Sequence, residues 1–402
     1  MVKRLVDYRE FVGEKKVSDI YKKACGLSKY HVLHINSTYY GGGVAEILRN
    51  MTLLMNEIGV DVGWRAMIGT PDFFRVTKQF HNALQGDEIN LTERKKEVFE
   101  KTSEEFAYFT HLDHDLVLVH DPQPLPLITN YRKHQPWIWR CHIDLSDPNQ
   151  EVWDYLKSFA LAYDRVVFQM EEFAAQGFSE EHEIIRPSID PLNPKNKQLD
   201  EDTVKKYLKK EGIDPSRPIL SQISRFDKWK DPSGVLEVFK KVREEMDCQL
   251  ALVGSMATDD PEGQEVYDEV RRKANGMKDV NLIVDAHDIF VNSIQRASDV
   301  VLQKSLKEGF ALTVSEALWK RTPVVGSDIG GIPTQIVDGE NGYLVDPTNY
   351  EYTAKKVMDI LSDDKLKDEM GRKGRERVRK RFLITRHIND WLDLLQDRLC
   401  YF

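Results

Sequence analysis

Short apolar runs alternate with helical periodicity from one end of the chain to the other. The first run, HVLHINS (31–37), leads through Gly41-Gly42-Gly43 into VAEILRNMTLLMNEIG. There Val44, Ile47, Leu48, Met51, Leu54 and Met55 recur at the 3.6-residue period of an amphipathic helix, and Gly59 stands where that helix should stop. The same rhythm predicts strands in VGWRAMIG (62–69), LVLVHDP (116–122), PWIWRCHID (136–144) and RVVFQM (165–170). IIRPSIDPLNPKNKQLDED (184–202) breaks the pattern with three prolines and a polar run, as an interdomain linker would. Strands then resume in PILSQISRF (218–226), QLALVGS (249–255), VNLIVDAH (280–287), DVVLQKS (299–305), TPVVGSD (322–328) and GYLVDP (342–347). The chain closes on a charged helical pattern, KLKDEMGRKGRERVRKRF, and a separate amphipathic one, ITRHINDWLDLLQDRL. Strands alternating with helices predict parallel sheets covered on both faces. The expected class is therefore α/β, with two doubly wound, Rossmann-like parallel-sheet domains. Ligands of such sheets sit beyond the C-terminal strand ends, so two halves facing one another predict a binding cleft between them.

Composition narrows the partners. A length of 402 residues suits two domains. Fifty-seven Lys and Arg against 66 Asp and Glu give a net charge of −9, which excludes sequence-independent nucleic-acid binding as the expected role. No apolar run reaches the ~18 residues of a membrane span, and the charged start MVKRLVDYREFVGEKK lacks a signal-peptide core. Cys25, Cys141, Cys248 and Cys400 are dispersed, with no CxxC pair, so a reducing cytoplasmic setting is expected rather than a disulfide framework or structural zinc. Charged residues reach 31%, above the usual ~25%, a weak sign of an ion-pair-rich surface.

Three segments carry candidate chemistry. Gly41–Gly43 follows a strand and opens a helix, where backbone can approach an anion and helix amides point at it; a tight turn is the plainer reading. Ser224-Arg225-Phe226-Asp227-Lys228-Trp229-Lys230 follows a strand directly, so Arg225 and Lys230 would project where a ligand lies and could neutralise a diphosphate. A solvated basic loop remains the alternative. Glu308-Gly309-Phe310-Ala311-Leu312-Thr313-Val314-Ser315-Glu316 places small residues before the helix LTVSEALWK, whose free amides can receive a phosphate. Glu308 and Glu316 stand too far apart on a regular helix for a compact acid/base pair. They could instead meet separate parts of one extended ligand, or serve as a helix-start charge and a surface residue. No His, Asp or Glu cluster has metal-ligand spacing.

The Glu-x7-Glu spacing within KEGFALTVSEALWKRTPVVGSDIGGIPTQIVDGENGYLV resembles the signature of the family 4 retaining glycosyltransferases, and SRFDKWK resembles their Arg-x4-Lys diphosphate clamp. NSTYYGGGVAEIL, FHNALQG, VHDPQPLPLI, WIWRCHIDLSDPN, RPSIDPLNPKN and MATDDPEG (256–263) are similar to the trehalose glycosyltransferring synthases and to the related retaining phosphorylases. The resemblance implies a GT-B fold. Residues 1–190 would bind the acceptor, with the helix near 385–402 packing back on them, and 191–384 would bind the donor. It further implies that Arg225 and Lys230 hold the donor diphosphate, that Glu308 binds donor-sugar hydroxyls, and that Glu316 binds the ribose. Gly309, Phe310 and Ala311 would form the donor loop, with the amides of Leu312 and Thr313, and Gly43, at the distal phosphate. Val284, Asp285 and Ala286 would lie beside the nucleobase. His142 would reach the sugar near its 6-hydroxyl and anomeric carbon, while Asp121 and Gly42 would contact the acceptor.

The implied reaction moves glucose from ADP- or UDP-glucose to glucose, giving α,α-trehalose by front-face substitution, with the leaving phosphate taking the acceptor proton. No tightly bound cofactor is implied beyond the nucleotide-sugar co-substrate, which Mg²⁺ could accompany, and a homodimer is the expected assembly. A phosphorylase using glucose 1-phosphate, another family 4 transferase with a different acceptor, and an inactive sugar-nucleotide sensor are the competing readings. Three positions depart from the family pattern: Ala311 replaces a customary glycine, Lys304 stands where a smaller or apolar residue is commoner and reads as surface variation, and Thr334 replaces a longer side chain. Trp137 and Trp139 read as core, and His120 as a supporting neighbour of Asp121.

Overall fold

A computed structural model describes residues 3–40, 42–175, 182–255 and 261–400. The chain divides into two units, Met1–Pro187 with Ile384–Phe402, and Ser188–Leu383. The first holds strands β1 (His31–Asn36), β2 (Asp61–Ala66), β3 (Leu116–His120), β4 (Trp137–Arg140), β5 (Arg165–Phe168) and β6 (His182–Ile184). They form one parallel sheet in the order β2-β1-β3-β4-β5-β6. The second unit holds β7 (Ile219–Arg225), β8 (Gln249–Ser255), β9 (Val280–Val284), β10 (Val300–Gln303), β11 (Val324–Ser327) and β12 (Gly342–Val345), parallel in the order β12-β11-β10-β7-β8-β9. In each sheet the strand order reverses once, between β1 and β3 and between β7 and β10, the switch points at which α/β sheets bind ligands.

The runs 116–122 and 280–287 overshoot β3 and β9 at their C-terminal ends for a physical reason. Asp121 and Asp285 take φ +63° and +54°, which turns the backbone out of the ladder just after His120 and Val284. β6 had no sequence signal because His182-Glu183-Ile184 offers one apolar residue on an edge strand. In the first unit, Leu33, Ile35, Val117, Val119, Trp137, Trp139 and Phe168 fill the core, both tryptophans fully buried. In the second, Leu220, Leu250, Leu252, Val300 and Leu302 pack under Val235, Leu236 and Phe239.

The proline-rich stretch 184–202, expected as the interdomain linker, contains the Pro187/Ser188 boundary between the units, and its residues after that boundary are held by side chains. Asn292 donates to the carbonyls of Pro194 and Lys197 at 2.8 Å each, and Lys320 Nζ reaches Asn196 Oδ1 at 2.8 Å. These contacts lay residues 188–197 against the second unit, and the bridge between Ile189 and Leu383 joins its two ends. The final helix, Ile384–Cys400, returns to the first unit, where Gln396 donates to the Lys23 carbonyl at 3.0 Å and Arg386 to the carbonyls of Arg186 and Pro187. Among the described residues, no helix is long and apolar enough to cross a membrane.

Candidate functional site

At the β7/β10 switch point, two loops are stapled together. Arg225 is the last residue of β7, partly exposed, with its guanidinium 3.2 Å from Asp227 Oδ2. Asp227 Oδ1 in turn accepts the Trp229 amide at 2.8 Å, turning the chain so that Lys230 faces the loop after β10. There Lys230 Nζ meets Glu308 Oε2 at 2.8 Å. Gln303 Nε2 and Ser305 Oγ donate to the same oxygen at 3.1 Å each. Three donors therefore converge on Oε2, while Oε1 of Glu308 makes no hydrogen bond among the described residues. A carboxylate held this way keeps one oxygen for a ligand hydroxyl.

Lys304, expected as surface variation, is instead buried at 1% exposure. Its ammonium bonds Asp231 Oδ2 and the Pro347 carbonyl and lies 4.3 Å over the Tyr350 ring, so a carboxylate, a carbonyl and a π face meet its three protons. Burial pulls its pKa down and Asp231 opposes the shift. Gln222 joins both lysine segments: its Nε2 donates to the Lys230 carbonyl at 2.9 Å and its Oε1 accepts the Lys304 amide at 3.3 Å. The Leu306 amide closes the staple on the Trp229 carbonyl at 2.7 Å.

Gly309, Phe310 and Ala311 lead into the helix Leu312–Trp319. Its Leu312 and Thr313 amides precede the first closing hydrogen bond, from Val314 to the Ala311 carbonyl at 3.0 Å. Ala311 takes φ +65°, the left-handed conformation that suits the glycine customary there. Gln335 holds the loop by donating to the Phe310 carbonyl and accepting Ser315 Oγ at 2.5 Å. Gly330 and Gly331 press so closely that a Cβ on Gly330 would stand 1.9 Å from the Glu308 carbonyl oxygen. Glu316 is 2% exposed, with Lys195 Nζ 3.7 Å from Oε1 and Gln295 Nε2 3.2 Å from Oε2. Thr334 folds onto its own turn, donating to the Gly331 carbonyl at 2.7 Å.

The first unit assembles a second constellation at its own switch point. His34 on β1, His120 ending β3 and His142 after β4 lie ring to ring, His34 Nδ1 to His120 Nε2 at 2.9 Å and His120 Nδ1 to His142 Nε2 at 3.1 Å. Burial drives all three pKa values below the usual imidazole range, that of His34 to about 3. Asp121 Oδ1 accepts the His142 amide at 2.9 Å; burial raises its carboxyl to about 7, against that hydrogen bond and Arg140. Arg140 is a buried structural cation that donates to the Phe168 and Ile185 carbonyls at 2.6 and 2.5 Å.

Of the remaining predicted residues, Val284 ends β9, Asp285 donates its amide to the Gly254 carbonyl at 2.9 Å, and Ala286 leads to His287, which caps the helix Asp288–Ala297. Gly42 and Gly43 are exposed at the start of the helix Gly42–Glu57. Gly41, and residues 256–260 of MATDDPEG, lie outside the described residues. No group of three His, Cys, Asp or Glu among the described residues could hold a metal ion. Sequence reasoning missed Gln222, Gln303, Ser305, Lys195 and His34. A buried polar residue at the end of an apolar strand, as in VVLQKS, was the signal available for Gln303 and Ser305.

Two family models match the chain: "Trehalose synthase, N-terminal domain" over residues 34–175 and "Glycosyl transferases group 1" over 203–377. It is 47% identical over 402 residues to a trehalose synthase of Thermococcus litoralis, covering 98% of this chain and 97% of that one. A trehalose phosphorylase of Pleurotus pulmonarius is 29% identical, over 92% of this chain but 58% of its own length. Among solved structures, the sucrose-phosphate synthase of Thermosynechococcus elongatus superposes with TM-score 0.74 at 16% identity, covering 92% of this chain and all of that one. Anabaena HepE, in complex with UDP and glucose, gives 0.71 at 15%, with 92% and 100% covered. The fold is GT-B.

Proposed function

The chain belongs to the trehalose synthase family of group 1 glycosyl transferases, a GT-B glycosyltransferase acting on trehalose, and from that premise we propose that it transfers glucose from a nucleotide-glucose to glucose, forming α,α-trehalose with retention. The observation that carries this reading is Glu308, whose Oε2 takes three donors while Oε1 stays available to a donor-sugar hydroxyl beside the cation of Lys230. The diphosphate draws on Arg225, Lys230 and the first amides of the helix Leu312–Trp319, charge-assisted contacts that strengthen as the leaving group gains charge. Glu316 takes the ribose hydroxyls, exchanging its distant contact with Lys195 for them. In the first unit, His142 and Asp121 contact the sugars. No carboxylate is assigned as nucleophile: the acceptor hydroxyl enters on the face the diphosphate leaves, and a phosphate oxygen takes its proton. The protein contributes position and charge.

The test is incubation with ADP- or UDP-glucose and glucose, followed by assay of trehalose and released nucleotide. No trehalose and no nucleotide release ends the proposal. Turnover of trehalose with phosphate and no nucleotide favours the phosphorylase reading, because the same cations suit glucose 1-phosphate. Glu308→Ala is expected to lower turnover about 10²–10³-fold while nucleotide binding survives. Lys230→Ala should weaken both; unchanged donor affinity there would count against the clamp.

A further inference from the structure

The histidine chain of the first unit has a direction, and that direction decides what His142 offers a ligand. All three rings are neutral, so each carries one proton on one nitrogen. Each of the two contacts needs one N–H and one bare nitrogen, and both join a Nδ1 to the next ring's Nε2. Only two proton arrangements satisfy both contacts. In the first, every Nδ1 is protonated: His34 donates to His120, His120 donates to His142, and His142 presents Nδ1–H. In the second, every Nε2 is protonated and His142 presents a bare Nδ1.

The far end of the chain separates the two. His34 Nε2 is buried and, among the described residues, has no hydrogen-bond partner. The second arrangement would bury an unpaired N–H there, whereas the first leaves only an unused lone pair. Orphaned buried donors are the rarer and costlier defect. The indole beside it is already spent: Trp391, edge-on to His34 with ring centres 6.1 Å apart, gives its N–H to His387 Nε2 at 3.0 Å. His387 in turn uses Nδ1–H on the Arg186 carbonyl at 2.8 Å. The Trp391 π system is only a weak acceptor for a His34 N–H. At the other end, Asp121 fixes the His142 backbone through its amide, and His142 Nδ1 makes no hydrogen bond among the described residues.

We propose that His34 and His120 are positioning residues that hold His142 as its Nδ1–H tautomer, so that His142 acts as a hydrogen-bond donor to a sugar oxygen. The identity of that ligand rests on the transferase reading; the tautomer does not.

The experiment has two arms on the full-length protein. Histidine is labelled with ¹⁵N, and the ring resonances of His142, identified by their loss in His142→Gln, are read for protonation in a long-range ¹H–¹⁵N correlation. A bare Nε2 with protonated Nδ1 is expected; an Nε2–H tautomer, or an averaged mixture, overturns the proposal. In the second arm, His120→Asn retains an amide donor near the position of Nδ1, and His120→Leu removes it. The leucine variant should lose about 10–100-fold in kcat with KM for both substrates within about threefold, and the asparagine variant should recover most of that loss. Equal impairment of the two variants, with matched circular dichroism, overturns the proposal. Where the variants fail to fold, the wild-type spectrum decides alone. Absence of trehalose formation by the wild type would sink the transferase reading and leave the tautomer measurement standing.

Discussion

Lys304→Met is the most informative single substitution in the second unit. Methionine matches the length of the lysine stem but removes the ammonium from Asp231, the Pro347 carbonyl and the Tyr350 face. Asp231, with 11% side-chain exposure, would lose its cation and keep one side-chain hydrogen-bond donor among the described residues, the Gly234 amide at 2.9 Å. Breaking a buried pair from one side costs about 3–5 kcal/mol, and the surviving amide places this case near ~3 kcal/mol. For a unit of this size each kcal/mol moves the melting temperature by about 2–4 °C, so a fall of roughly 6–12 °C follows. Lys304→Met/Asp231→Asn should recover most of that loss, because replacing both members of a buried pair is often close to neutral. Urea unfolding followed by circular dichroism gives the four corners of the cycle. The same variant should lower nucleotide-sugar affinity about tenfold, since Gln222 ties the backbone of Lys304 to that of Lys230. A cost below ~1 kcal/mol, or a double variant as unstable as the sum of its singles, would refute the reasoning.

Gly330→Ala should reduce kcat/KM by about 10²-fold, because its Cβ would displace the Glu308 backbone from 1.9 Å away; steady-state kinetics with intact folding checks it. Ala311→Gly should raise stability by roughly 0.5–1 kcal/mol without loss of activity by relieving φ +65°, and denaturant titration showing destabilisation would contradict that backbone. Asp121→Asn should flatten the pH dependence of stability. The folded carboxyl titrates at about 7, above the ~3.9 of a free aspartate, so the native state holds an extra proton between those values. Stability therefore falls as pH rises from about 4 through 7, and this slope should vanish in the variant. Identical melting-temperature profiles for both proteins would discount the buried carboxyl.

The periodicity of the chain was sufficient for the architecture, because a parallel strand buried on both faces must be a short apolar run and its crossover helix must carry an apolar stripe. Eleven of the twelve described strands show such runs, and only the edge strand at His182–Ile184 lacks one. Arg225, Lys230 and Glu308 stood out as candidates in the sequence because they end or follow the apolar runs of β7 and β10, and strand ends at a switch point are where side chains leave the core. Composition set the expectation about partner classes through its net charge of −9. Sequence could not reveal pairings that span many residues. Lys304 reads as an ordinary surface cation until Asp231, Pro347 and Tyr350 are seen around it, and the part of the expected linker after Pro187 joins the second unit only through contacts such as those of Asn292 and Lys320. His34, His120 and His142 lie on or just after three separate strands, and only the lateral order β1-β3-β4 brings their rings into line. Local pattern records which residues are buried or turned outward. The direction of a hydrogen bond and the state of a buried charge depend on neighbours that only the folded chain supplies.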